Sequence, residues 1–200
     1  MTPQQSSTQP IALSPPTPSS LPETPACTAM QNMSDTVSIL REHIMRKHFH
    51  KGTAAVQVSS TRFVVEVQNR ICHDVDADFS IKGLSTDGES VCVWSGKEVA
   101  VFGLVKGGEA IRNAGHFKCE ASACALHDGT VFTAEGNKIH ARSQQGSSKQ
   151  MLVVGEEGDA VAHLHCNGHF LAAATHGGVL RLWDLSRREA RPHAVRLLAC

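Results

Sequence analysis

Three stretches of this 200-residue chain repeat at a spacing of forty. In register they are VCVWSGKEVAVF from Val91, VFTAEGNKIHAR from Val131 and LAAATHGGVLRL from Leu171. Val99, Ile139 and Val179 keep the same spacing; Gly96 and Gly136 share a slot, and Gly177 falls one place later. Each unit is an apolar run, a glycine-bearing turn and a second apolar run, the pattern of a two-stranded hairpin. Ahead of each hairpin lies a short run closed by a polar turn: IKGLSTDG (81–88), ACALHDG (123–129) and VAHLHCNG (161–168). Asp-Gly and Asn-Gly supply the positive φ angles of tight hairpins, so turns are expected at Gly88, Gly129 and Gly168. The runs VCVW, VFTA and FLAAA are almost continuously apolar, as a strand covered on both faces must be. A period of roughly 40–45 residues, ending in Trp183-Asp184, predicts the four-stranded antiparallel blades of a WD40 β-propeller.

Length then sets a constraint. Closed propellers hold about 4–8 blades. Residues 84–200 supply three units, near 84–120, 121–158 and 159–200, and 53–83 supply parts of another. The expectation is a partial propeller of about three to four blades over 35–200. An open arc leaves two uncovered faces, so either the chain is a piece of a longer one or something completes its ring. The first is the simpler reading.

Residues 1–34 read differently. Pro, Ser, Thr and Gln make up 19 of the first 25 residues, whereas Pro192 is the only proline after residue 25. Such a tail buries too little apolar area to order itself. It contains Ser14-Pro15, Thr17-Pro18 and Thr24-Pro25, and minimal polyproline matches at Pro15/Pro18 and Pro22/Pro25, patterns that arise freely in this composition. No Lys or Arg precedes Arg41, which argues against a secretory signal or an organelle presequence. No apolar run has the length of a membrane span. Seven scattered cysteines without a C-x-x-C pair fit a reducing cytoplasm. Nineteen basic and nineteen acidic residues cancel, so no general attraction to nucleic acid is expected.

Between tail and blades, Val37, Leu40, Ile44 and His48 follow a helical rhythm, with Ser34 or Asp35 as N-cap and Gly52 as stop. The pattern predicts a helix over 35–52. Residues 54–60 and 63–68 read as a strand pair, and the polar stretch Asn69–Phe79 as a loop.

Four segments are distinctive beyond blade periodicity: HFHKGTAAVQVS (48–59), VCVWSGKEVAVF (91–102), AIRNAGHFKCE (110–120) and WDLSRREA (183–190). They resemble, in order and with similar gaps, the second propeller of the 140-kilodalton WD-repeat subunits of intraflagellar transport complex A. The resemblance runs from about residue 37 to 198 and excludes the tail. It implies two N-terminal propellers and a long helical-repeat array, working as a scaffold in ciliary trains. Such trains return cargo from the ciliary tip and admit certain membrane proteins. Partners would be other complex A subunits and, indirectly, motor-driven trains and membrane cargo, at the cilium or flagellum, the ciliary base and the cytoplasm. This sequence departs from the family by lacking the first propeller, the rest of the second and the helical array. The family segment matching Val37–Leu40 resembles a propeller strand, against the helical pattern. The alternative is a cytoplasmic WD-repeat adaptor unrelated to cilia.

Trp94, Phe102, Trp183 and Asp184 are the expected structural blade positions, and Asp87 and Asp128 are candidates to anchor hydrogen bonds between blades. SRREARPHAVR (186–196) holds Arg187, Arg188, Arg191 and Arg196, a candidate patch for an acidic partner, since arginine forks suit carboxylates and phosphates. The plainer reading is a solvated loop between the third and outer strands. Arg41, Arg46, Lys47 and Lys51 make a weaker patch. His163, His165, Cys166 and His169 have ligand-like spacing, but strand alternation separates Cys166 from the two histidines, and a zinc site needs about four convergent ligands. His48 and His50 are weaker still. No metal, cofactor or catalytic residue is assigned. The chain has no nucleophile elbow, P-loop or dinucleotide fingerprint, and Gly107-Gly108 and Gly177-Gly178 lack the helix onset that holds phosphate. The sequence therefore predicts a non-enzymatic scaffold.

Overall fold

The forty-residue units fold as four-stranded meanders, each strand pairing antiparallel with the next. The computed structural model describes residues 46–197, and the tail at 1–34 lies outside them. The first blade comprises β1 (Lys47–His50), β2 (Thr53–Gln57), β3 (Arg62–Val67) and β4 (Arg70–Asp76). The second holds β5 (Gly83–Thr86), β6 (Ser90–Trp94), β7 (Glu98–Val105) and β8 (Ala110–Lys118). The third holds β9 (Ala123–His127), β10 (Thr130–Glu135), β11 (Lys138–Arg142) and β12 (Ser148–Val153). The fourth holds β13 (Val161–Asn167), β14 (Phe170–Thr175), β15 (Val179–Asp184) and β16 (Arg191–Leu197). The protein is all-β, with four blades among the described residues.

Strand alternation sends neighbouring residues to opposite faces, and here the two faces belong to different cores. In the second blade, Val91, Val93 and Ala100 pack with Ala55, Phe63 and Val65 of the first. Cys92, Trp94, Val99 and Val101 pack instead with Cys124, Leu126 and Val131 of the third. Phe132, Ala134, Ile139 and Ala141 of the third blade meet Leu171, Ala173 and Trp183 of the fourth. All three clusters straddle two consecutive blades, and none joins the fourth to the first. Burial at roughly 1.5–3 kcal/mol for each large side chain makes these junctions the main source of cohesion.

Side-chain hydrogen bonds reinforce each junction at close to one repeat of separation. Thr53 Oγ1 donates to the Gly88 carbonyl at 2.9 Å. Ser85 Oγ accepts the Leu126 amide at 3.2 Å, and Asp87 Oδ2 accepts the Gly129 amide at 2.9 Å. Ser122 Oγ donates to the Val161 carbonyl at 2.9 Å. The Asp-Gly turn after β9 adopts the predicted left-handed backbone, with φ of 43° at Asp128 and 68° at Gly129.

Several expectations are corrected. Where the helix predicted over 35–52 overlaps the described residues, Lys47–His50 are strand β1, paired with Thr53–Val56. The ladder to β2 and the Thr86 amide, which donates to His48 Nδ1 at 2.9 Å, outweigh a helical rhythm carried by one apolar residue per turn. The remainder of that helix lies outside the described residues. The loop predicted over Asn69–Phe79 contains β4, so the first blade is complete rather than partial. An outer strand has little apolar area to bury, and its sequence carries a weak strand signal. Residues 191–197, expected as a solvated loop, are the outer strand β16.

Candidate interaction site

The connection from β15 to β16 is built to fold back on the third blade. Asp184 Oδ1 accepts the Ser186 amide at 2.8 Å, starting a tight turn, and the Leu185 amide donates to the His169 carbonyl at 2.7 Å. Gln150 of β12 then grips the end of the loop from both sides. Its Nε2 donates to the Ala190 carbonyl at 3.0 Å, and its Oε1 accepts the Ala190 amide at 2.9 Å. Ala190 is buried in the junction of the third and fourth blades. Between the loop and the third blade lies a cavity of about 640 Å³, with Phe132, Ala141 and Leu185 as apolar lining. Lys149, Arg187 and Arg188 bring positive charge to it, against Asp128 and Glu189. A cleft of this kind suits an extended segment with carboxylates, which the guanidinium forks can receive.

Electrostatics beside and within this cleft follow from local bonds. The Ser186 amide and then its hydroxyl hold the Asp184 carboxyl below the usual range, with smaller help from His193 and Arg187. Burial lowers the pKa of His127, which is on the lining, while Asp128 pulls it the other way and His169 adds to the lowering.

The structure divides the arginine patch. Arg187 and Arg188 sit in the loop and line the cleft. Arg191 and Arg196 stand on β16, opposite Asp184 and Leu180 in the ladder, on the face turned away from the third blade. One run of sequence thus serves two surfaces. Arg46, of the weaker patch, begins the described residues, and its carbonyl accepts the Gln57 amide at 2.8 Å. Lys51 lies 3.7 Å from Asp128, linking the β1–β2 turn to the third blade.

Trp183 is 1% exposed, packed between the third and fourth blades, and Trp94 lies in the core of the second and third. Phe102 is half-buried and meets Phe63 edge-on with ring centroids 5.3 Å apart. Asp87 is buried and takes three amides: Glu89 at 3.1 Å and Ser90 at 2.8 Å on Oδ1, and Gly129 on Oδ2. Among the described residues Asp128 takes no such set of amides; its side chain is exposed and lies 3.7 Å from Lys51 and 3.5 Å from His127. His163 and His165 share one face of β13, and Cys166 faces the opposite core. Among the described residues no three His, Cys, Asp or Glu side chains converge as metal ligands do. Cys92, Cys119, Cys124 and Cys166 carry free thiols, and burial pushes that of Cys166 up to about 12.

Sequence reasoning missed two arrangements. The His48 and His165 rings meet edge to face at 5.3 Å, placing the inner strands of the first and fourth blades around one axis. No local pattern announces a contact across more than a hundred residues. The Gln150–Ala190 clamp was also missed, although its separation of forty is the repeat itself and offered a signal.

Among solved structures, the chain is similar to BamB from Moraxella catarrhalis, with 18% identity and a TM-score of 0.53. The match covers 77% of this chain and 53% of that one, so the chain spans about half the length of that protein. At this identity the likeness is one of fold. No helix among the described residues is long and apolar enough to cross a membrane. Residues 51–196 match the family model described as the IFT140 second beta-propeller, which takes in all or part of each of the four blades. The chain belongs to the IFT140 second beta-propeller family.

Proposed function

We propose that this chain is a scaffold component of intraflagellar transport complex A, supporting retrograde ciliary transport and cilium assembly through protein–protein contacts. The observation that carries the reading is the family match over 51–196. A stack of rigid blades with a charged cleft between two of them also supports it, because such a surface recognises partners without a reaction centre. The chain acts without enzymatic turnover or cofactor. Its partners are the other complex A subunits and, through them, motor-driven trains and membrane cargo. It resides at the cilium or flagellum, at the ciliary base and in the cytoplasm.

The test is expression of the tagged full chain in ciliated cells, with quantitative recovery of bound proteins. Complex A subunits should co-purify and the tag should concentrate at the ciliary base. Exchange of Arg187 and Arg188 for Glu should reduce recovery severalfold while the circular dichroism stays unchanged. A tag spread evenly through the cytoplasm, with no complex A subunit recovered, would sink the reading.

A further inference from the structure

The loop between β15 and β16 holds its charged segment at two fixed ends. On one side the Leu185 amide is tied to the His169 carbonyl and the Ser186 amide to Asp184; on the other, Gln150 clamps Ala190. Arg187, Arg188 and Glu189 fall between these ties, so their backbone is ordered before any partner arrives. Beside them the cavity of about 640 Å³ is lined by Phe132, Ala141 and Leu185, and Lys149 reaches it from β12. Both neighbouring blades are present, so this recess belongs to an interior junction of the stack.

The charges here are unevenly satisfied. Asp128 lies 3.7 Å from Lys51 and 3.5 Å from His127, and Asp184 accepts the Ser186 amide. Asp87, bonded to Gly129, takes three amides. Only Glu189, exposed beside the arginines, is a carboxylate of the lining without such a tie among the described residues. The cations differ. Asp184 feels Arg187 as a minor influence, yet Lys149, Arg187 and Arg188 form no ion pair among the described residues.

Three unpaired cations around one recess call for more anionic oxygen than a single carboxylate brings, since one guanidinium fork already satisfies a carboxylate. A phosphate monoester carries about −1.5 to −2 charge at pH 7 and three strong acceptor oxygens. Whatever bears that phosphate must also lay an apolar group on Phe132, Ala141 and Leu185, as a side chain of an extended peptide does. A flat bilayer fits the recess poorly, and residues 185–190 offer it no exposed large apolar side chain to insert.

We infer that this cleft is a phosphopeptide-binding site. It takes an extended segment of a partner protein, with one phosphoserine or phosphothreonine received by Lys149, Arg187 and Arg188 and a neighbouring apolar side chain on the Phe132 side. A kinase acting on the partner then switches the contact on. The inference rests on the reading of this cleft as a partner-binding surface, and it adds the chemistry that the partner must carry.

The experiment is fluorescence anisotropy of the full chain with a labelled pool of short peptides, phosphoserine fixed at the centre and the flanking positions randomised. This pool should bind about tenfold or more tighter than the same pool with serine, and severalfold tighter than one with glutamate. Arg187→Gln combined with Arg188→Gln should abolish the preference, and Lys149→Gln should reduce it severalfold. Arg196→Gln, on the face turned away from the third blade, should leave it unchanged. Equal binding of the phosphoserine pool and either other pool overturns the inference. So does a preference that survives the cleft variants, or one that Arg196→Gln weakens as much as they do, which is diffuse charge attraction. Tighter binding to phosphatidylcholine vesicles containing phosphatidylinositol 4-phosphate than to the peptides makes the cleft a membrane site and also overturns it. Failure here leaves recovery of complex A subunits from cells free to succeed, so the two readings fall separately.

Discussion

Trp183 and Gly83 illustrate how little room the junctions leave. Trp183 is fully enclosed between the third and fourth blades, so Trp183→Ala should lower unfolding free energy by about 3–5 kcal/mol, measured by urea denaturation. At Gly83 a Cβ would fall 2.1 Å from Trp94 Cζ2, so the glycine exists to admit the indole. Gly83→Ala should therefore cost about 1–3 kcal/mol. Adding Trp94→Phe, which removes the clashing ring carbons, should make the double variant less destabilised than the sum of the singles. Additive losses would mean the backbone shifts instead. His48 carries a pH dependence. Burial, then His165 and His50, lower its pKa, outweighing the backbone of Thr86, which raises it, and its Nδ1 accepts the Thr86 amide at 2.9 Å. The unfolded chain binds this proton more readily, so the contribution of His48 is complete above the unfolded value of about 6.5 and declines as pH falls through the depressed folded value. His48→Asn, whose Oδ1 can take the amide bond, should flatten that part of the stability profile below about pH 6.5. An unchanged profile in the variant would remove His48 as its source.

At the scale of elements, the ties between blades matter as much as the strands. Asp87 joins its own turn to the turn of the next blade, so Asp87→Ala strands three amides and should cost about 2–3 kcal/mol. Amide exchange at Gly129, a full repeat away, should accelerate along with that at Ser90; protection retained at Gly129 would show that the cross-blade bond is incidental. These elements were unequally legible in the sequence. VCVW and VFTA announced their second strands because both faces are covered, FLAAA announced that of the fourth blade although one of its faces is half-buried, and the Asp-Gly turns announced the hairpin ends. RICHDVD and RPHAVRL did not announce β4 and β16, since an outer strand is held mainly by its ladder and shows mixed polarity. The arginine run was legible as charge but not as two surfaces, because the change from loop to strand at Arg191 is set by pairing with Asp184. The His48–His165 contact depends on how four blades curve, which no window of sequence contains.

The molecule as a whole is a stack in which interior blades have two partners and the first and fourth have one each among the described residues. In such an array stability is roughly a sum of unit and nearest-neighbour terms. Hydrogen exchange should accordingly be slowest in β6 and β10 and faster in β2 and β14, under conditions where the chain is monomeric. Uniform protection across the four blades would show one cooperative unit with no weak ends. The cores are also out of phase with the repeats: the second and third blades each carry half of two cores, the first and fourth half of one, and no blade has a core of its own. A nascent chain leaving the ribosome therefore cannot complete any blade until the next has emerged. At roughly 5–20 residues per second, a repeat of about 40 residues sets a lag of about 2–8 s. Throughout synthesis one apolar sheet face is always waiting for its successor, so a ribosome stalled at any point holds a half-made core that chaperones must shield.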